Sequence, residues 1–336
     1  MNQKKIRIGL VGVANHGNTI LQAIVRSPNL ALVSCFDVNE EAMNTVARQY
    51  GADAAPDYDT LIRDENLDAV ALVTPNHLHL EQVEKAAKNG KHVFLEKPIA
   101  NTVLEGKEII QIMRDAACIL SVGHNTRRKP TFRKVKKLLD NNVIGNVVGV
   151  EANLSRPAGL QEGLPAWKAD AKTCPLLPMM QLGIHFVDTI RYLIDPVKSV
   201  SCIAGRVAMT GNVYDSSAAL LHLSSGIPAV LSSYYVSPET YFMKIYGTSG
   251  IIHCTNEHLR VDVTKDYKNY SVSEDDFPDE GMVSYIEEMT EFADCILQNK
   301  EPETDGAVGL EALAVIEAMM QSAETGKYVF IEDIIT

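Results

Sequence analysis

Residues 5 to 17, KIRIGLVGVANHG, decide the fold. A β-branched and apolar run stops at Gly12-Val13-Ala14-Asn15-His16-Gly17 and passes directly into the helical pattern NTILQAIVR. Strand, glycine loop and helix in that order put a row of helix N-terminal amides where a phosphate can sit. The loop fits G-x-G-x-x-G except that Ala14 stands at the second glycine. That glycine lets the backbone approach a pyrophosphate, so a methyl group costs closeness without abolishing the site. Gly12, Ala14, Asn15, His16 and Gly17 are therefore the expected phosphate cradle, and His16 and His77 taken alone read as loop or cap residues rather than catalysts. Asp37 ends the next apolar run, LALVSCF, twenty residues after Gly17. A carboxylate there accepts hydrogen bonds from a ribose 2′-hydroxyl and repels a 2′-phosphate, by on the order of 4 kcal/mol at ~4 Å and an effective dielectric near 20. The motif predicts NAD as cofactor, in preference to NADP.

Outward from the loop, short apolar runs alternate with helical patterns up to residue 124. The strands expected are KIRIGLVGV, LALVSCF, LDAVALVT, KHVFLEK and CILSVGH, with NHGNTILQAIVR, NEEAMNTVARQY, HLHLEQVEKAAKNG and TVLEGKEIIQIMRDA as helices between them. Near-continuous apolar strands separated by helices predict an α/β domain, a doubly wound parallel sheet covered on both faces. Its ligands bind beyond the carboxyl ends of the strands. Three such ends carry polar residues: Thr74 and Asn76 with His77 and His79, then Glu96-Lys97-Pro98, then His124 and Asn125. A lysine on that rim becomes a general acid or base if its pKa falls from about 10.4.

After residue 124 the pattern changes. A helix over about 130 to 140, a strand NVVGVEANLS, an irregular Pro-rich stretch and a helix MMQLGIHFVDTIRYLI precede VKSVSCIAGRV, SAALLHLS, IPAVLSSYYV, YFMKIYGT and HLRVDV, joined by turns such as SSG and TSG. This half predicts an α+β domain with a mostly antiparallel, open sheet. Two helices, over about 282 to 299 and 307 to 325, and a terminal strand KYVFIED follow. The expected division is a nucleotide-binding domain at 1–124 and a substrate and oligomerisation domain at 125–336, whose terminal helices can pack back on the first. The acidic segment 274 to 281 is the expected flexible spot.

Composition narrows the function classes. The hydrophobic share is 46%, and no run approaches the ~18 apolar residues of a membrane span. The N-terminal lysines suggest a signal peptide, but the apolar run behind them is short and ends in the glycine loop, as a first strand of the mature protein does. Six scattered cysteines without C-x-x-C spacing argue for reduced thiols and a cytoplasmic setting. The net charge of −12 disfavours nucleic acid as partner; the basic cluster RRKPTFRKVKK (127 to 137) is expected to be the solvated face of a helix.

TPNHLH, the EKP tripeptide, VGHNTR with Pro130 after it, LLDNNVIGNVVGV, QLGIHFVD, IYGTSG and ETDGAVGLEALAVIEAMMQSAETGKYV, together with the glycine loop, resemble the glucose-fructose oxidoreductase and inositol dehydrogenase family, Gfo/Idh/MocA, over essentially the whole chain. The resemblance implies an NAD(P)-dependent oxidoreductase that moves a hydride between cofactor and a carbinol carbon of a sugar, cyclitol or similar polyol. It implies Lys97 as the catalytic lysine, with a bond to Pro98 that is commonly cis, and His79 near the cofactor. It also implies association of subunits, as homodimer or homotetramer, through the open sheet face. The family's second pattern, D-x-G-x-H-x-x-D, matches Gln181 to Asp188 with His185 as the substrate histidine. Gln181, four residues before His185 and expected on its helical face, replaces the usual aspartate and can bind a hydroxyl but carries no proton. Asp188 is expected to be a structural partner. Trp167 either walls the substrate pocket or packs the domain, and neither Arg127 nor Arg128 is assigned to catalysis. A non-catalytic NAD-binding sugar sensor and an NAD-assisted redox-neutral elimination or glycoside cleavage are the alternative functions.

Overall fold

A computed structural model describes residues 5–278 and 282–336. The N-terminal residues 1–4 and the end of the acidic segment, 279–281, lie outside the described residues. The chain divides into two compact units, Met1–Asn125 with Gly281–Leu310, and Thr126–Glu280 with Glu311–Thr336.

The first unit is built on six strands, β1 (Ile6–Val11), β2 (Leu30–Phe36), β3 (Asp53–Ala54), β4 (Ala69–Leu72), β5 (His92–Glu96) and β6 (Leu120–Gly123), all parallel in the order β3-β2-β1-β4-β5-β6. Helices α1 (His16–Arg26), α2 (Glu40–Tyr50), α3 (Tyr58–Arg63), α4 (His79–Lys88) and α5 (Val103–Asp115) connect them. Local chemistry sets their ends: Asn39 caps α2 through the Ala42 amide, and Thr102 with Glu105 forms a capping box on α5. The strand order reverses between β1 and β4, where a doubly wound sheet opens its ligand crevice. β3 and α3 are too short for a periodic signal, and neither was expected.

The stretch of the first unit after residue 281 carries a long helix that packs on the same sheet. Its Met289, Phe292 and Ala293, each fully buried, join Ile8, Leu10, Ile20, Ile24 and Phe94 in one cluster, and the Phe292 ring stands edge-on to Phe94 at 5.9 Å. Ser27 and Asn29, at the end of α1, reach Thr290 and Asp294 on it.

The second unit contains α6 (Pro130–Asp140), β7 (Val147–Ser155), a π-helical turn Met179–Gly183 that runs into α7 (Ile184–Leu193), then β8 (Val197–Gly205), β9 (Ser216–Leu223), β10 (Pro228–Tyr234), β11 (Thr240–Gly247), β12 (Gly250–Cys254), β13 (His258–Thr264) and β14 (Tyr270–Asp276). The helix of the first unit just described is α8 (Val283–Gln298); α9 (Gly306–Thr325), β15 (Val329–Phe330) and α10 (Ile331–Ile335) complete the chain. The nine strands lie in the order β14-β13-β12-β11-β7-β10-β9-β8-β15, antiparallel throughout except for the β7–β10 pair.

Three expectations need correction. Residues 274 to 276 of the acidic segment are strand, because the exposed β14 pairs along its whole length with β13. The terminal strand is only Val329–Phe330 before the chain turns helical. The basic cluster is not uniformly solvated, since Arg127 is 6% and Arg128 1% exposed.

Candidate active site

The predicted site residues fall into two groups, one in each unit. In the first, tight backbone makes the cradle. Gly12 has φ of 85°, and a Cβ there would stand 2.6 Å from the Val73 carbonyl oxygen. A Cβ on Gly17 would stand 2.0 Å from the Gly12 carbonyl oxygen. Only glycine closes this turn between β1 and α1. Asn15 follows with φ of 50°, and His16 begins α1. Asp37 accepts hydrogen bonds from the Val13 and Ala14 amides at 2.7 and 3.1 Å and from the Asn39 amide at 2.8 Å. The carboxylate is thereby fixed against the loop. The cradle fits a dinucleotide: the backbone is close-packed, helix amides follow it, and an oriented carboxylate closes its far side.

The ends of β4, β5 and β6 meet on the same rim. Lys97 follows the last residue of β5, is half-buried, and is joined to Pro98 by a cis peptide bond. Beside it Glu96, 5% exposed, accepts a hydrogen bond from His16 Nε2 at 3.0 Å. Burial pushes the Glu96 pKa up, but the His16 charge and hydrogen bond, with Lys97, outweigh it and hold the carboxyl below its ordinary range. His16, the first residue of α1, thus ties the glycine loop to the β5 end, and its ring also stands edge-on to Tyr285 of α8 at 5.8 Å. Asn125, buried, donates to Ser284 Oγ at 3.2 Å.

His79 sits deeper than the resemblance suggested. It is 1% exposed, with Nδ1 3.1 Å from the Pro98 oxygen and 3.3 Å from that of Ile99, and Nε2 3.1 Å from the Thr74 oxygen. It pins two rim loops together by backbone carbonyls. Burial drives its pKa below the ordinary imidazole value against the pull of those carbonyls and of Glu96. Thr74 itself bonds Gln82, and Asn76 donates to Asn101.

In the second unit His185 lies in the first turn of α7, half-buried, with Nδ1 3.0 Å from Thr126 Oγ1. Asp188, fully buried, receives a two-pronged hydrogen bond from Arg127 through Nε and Nη2. Gln181 lies in the π-helical turn Met179–Gly183 that runs into α7, four residues before His185. Its amide nitrogen is 3.7 Å from Cys174 Sγ. Trp167 is half-buried in a short 3-10 turn, under the Lys168 ammonium at 5.3 Å.

Thr126 and Tyr285 were missed. Thr126 stood in view between Asn125 and Arg127, but its partner lies 59 residues away. Tyr285 is brought in by a helix that folds onto the first unit from far along the chain, and no local pattern announces that.

Residues 6–124 match the oxidoreductase family's NAD-binding Rossmann fold, and residues 136–331 match its C-terminal alpha/beta domain. The inositol 2-dehydrogenase of Rhizobium meliloti is 26% identical over 326 residues, 94% of this chain and 96% of that one. The 2,7-anhydro-N-acetylneuraminate hydratase of Mediterraneibacter gnavus is 30% identical over 258 residues, 74% of this chain and 67% of that one. Levoglucosan dehydrogenase, solved with NADH and levoglucosan, shares the fold with a TM-score of 0.89 at 20% identity, over 98% of this chain and 100% of that one. Loop, rim and helix lie inside matches that take in both units, and the chain belongs to the Gfo/Idh/MocA family of oxidoreductases.

Proposed function

We propose that this oxidoreductase uses NAD to interconvert a carbinol and a carbonyl carbon of a sugar, cyclitol or related polyol. The observation that supports the reading is the His16–Glu96 bond, which ties the end of β5, with Lys97 next along the chain, to the glycine loop. Bound NAD supplies the hydride acceptor or donor. Gly12, Ala14, Asn15, His16 and Gly17 would hold its phosphates through backbone amides, Asp37 its ribose hydroxyls, and Thr74, Asn76, His79, Glu96 and Asn125 shape the rim around it. Lys97 takes the proton of the substrate hydroxyl as the C–O bond becomes C=O, and returns it in the reverse direction. His185 orients that hydroxyl, with Gln181 and Trp167 as further substrate contacts. The fixed carboxylate of Asp37 supports NAD over NADP.

A redox-neutral reaction, in which transient oxidation assists elimination and the cofactor is regenerated, is the second reading. It is favoured by the hydratase relative, whereas glutamine at position 181, which carries no proton, favours a non-catalytic sensor. The exposed side chains Ile203 (80%), Leu220 (49%) and Val230 (46%) on the open sheet face support a homodimer or homotetramer, and six cysteines scattered without C-x-x-C spacing support a cytoplasmic setting.

A panel of polyols, inositols and sugar derivatives with NAD, followed at the nicotinamide absorbance and by product analysis, tests the choice. An absorbance change supports the first reading, and product without one supports the second. NAD binding with neither outcome across the panel would leave the protein a sugar or cofactor sensor.

A further inference from the structure

We infer that Thr126 is a positioning residue for His185, supplying through its hydroxyl the partner that a carboxylate four residues before the histidine would otherwise be expected to provide. The inference rests on His185 acting in the proposed reaction. Thr126 Oγ1 lies 3.0 Å from His185 Nδ1, and Thr126 itself is 4% exposed, so the hydroxyl's side of the contact is buried while the ring is half-buried. Its position is held by its neighbour. Arg127 grips both oxygens of Asp188, three residues beyond His185 and therefore on the same face of α7. Two successive residues of one 3-10 turn, Asn125–Arg128, thus hold two residues of one helix face.

The chemistry of the contact differs from that of a carboxylate. A carboxylate only accepts, so it pins the proton on the facing nitrogen and favours the imidazolium by charge. A hydroxyl both donates and accepts. When Nδ1 carries its proton, Thr126 Oγ1 accepts it; when Nδ1 bears the lone pair, the hydroxyl rotates and donates. The hydroxyl can hold His185 in either tautomer and, unlike a carboxylate, adds no charge of its own to bias the ring. Substrate then meets the ring through Nε2, as acceptor in the first tautomer and as donor in the second, which suits an enzyme whose reaction runs in both directions. Gln181, with its amide at Cys174, has no titratable proton to offer in that place.

The experiment compares Thr126→Val, Thr126→Ser and His185→Ala with wild type, using whichever substrate the panel identifies. Thr126→Val keeps the volume and removes the hydroxyl. We expect kcat to fall by about tenfold with KM nearly unchanged, and Thr126→Ser to restore it to within about threefold. Nitrogen NMR of the His185 ring reads the same contact without substrate: its tautomer ratio should change in Thr126→Val and return in Thr126→Ser. NAD affinity and thermal midpoint, measured on every variant, identify any that fails to fold; Thr126→Ser and the NMR comparison then carry the test. An unchanged kcat and an unchanged tautomer ratio in Thr126→Val, with His185→Ala impaired, overturn the inference alone. Wild-type turnover in His185→Ala overturns the role given to His185, and the inference falls with it.

Discussion

The two sheets of this protein solve opposite problems. In the first unit β4 and β6 are buried at every residue, and β1 and β5 at all but one, because helices cover both faces and leave only the strand ends for chemistry. In the second, burial alternates along β8, β9 and β10. A straight row of partners, Leu259, Cys254, Met243, Ala152, Leu231, Ala219 and Cys202, crosses seven strands, with every member buried. The adjacent row points the other way: Arg260, His253, Lys244 and Glu151 on one half, Val230 and Leu220 on the other. One sheet therefore leaves only its strand ends open, and the other leaves part of a second face open, charged at one end and apolar at the other.

That difference is easiest to break on β9 and β10. Leu231→Ala empties a fully buried position and should cost about 2–5 kcal/mol of unfolding free energy. Leu220→Ser, on the open face, should stay within about 0.5 kcal/mol in a dilute sample while weakening self-association. Denaturant midpoints and light scattering measure the pair. Equal losses would mean that both faces are core within one chain.

At the rim of the first sheet, Lys97→Met keeps most of the side-chain volume and removes the ammonium. Turnover should fall at least about a hundredfold, or ~2.7 kcal/mol, with little change in NAD affinity. Near wild-type turnover would show that the proton leaves by another route.

Asp37→Asn retains an acceptor for the loop amides and removes the charge. The preference for NAD over NADP, read by titrating both, should shrink by about tenfold or more, ~1.4 kcal/mol. A preference that survives intact would place its origin elsewhere in the loop.

The smallest effect is expected at His79. Its folded pKa is lowered, so the unfolded chain takes up the proton first, near the ordinary value of about 6.5. The stability concerned is present above that pH and is lost as pH falls through the folded value, with a slope of at most about 1.4 kcal/mol per pH unit. Thermal melts from pH 8 to 5 should decline less steeply in His79→Gln than in wild type; parallel declines would show that the buried ring is not the sensor.

Legibility followed the same division. Strands of the first sheet announce themselves as apolar runs, and even β2, only partly buried, matches its run LALVSCF residue for residue. In the second unit β12 was overlooked because its five residues follow directly on the turn after β11, and β14, exposed along its length, offers no apolar signal at all. The glycine loop was legible because two steric demands, at Gly12 and Gly17, admit one residue type. His79 was legible as a rim residue but not as a buried clip, since burial depends on where Pro98 and Ile99 come to lie.

By itself the sequence determined the fold class and the family: hydrophobic period and glycine placement are local, and each is enforced by sterics or burial within a few residues. Tertiary structure alone decided which side chains meet. Thr126 faces His185, Arg127 pairs with Asp188 and His16 bonds Glu96 across separations of 59, 61 and 80 residues. No periodicity spans such distances, because these contacts are chosen by how the packed elements lie against one another and not by the residues beside them in the chain.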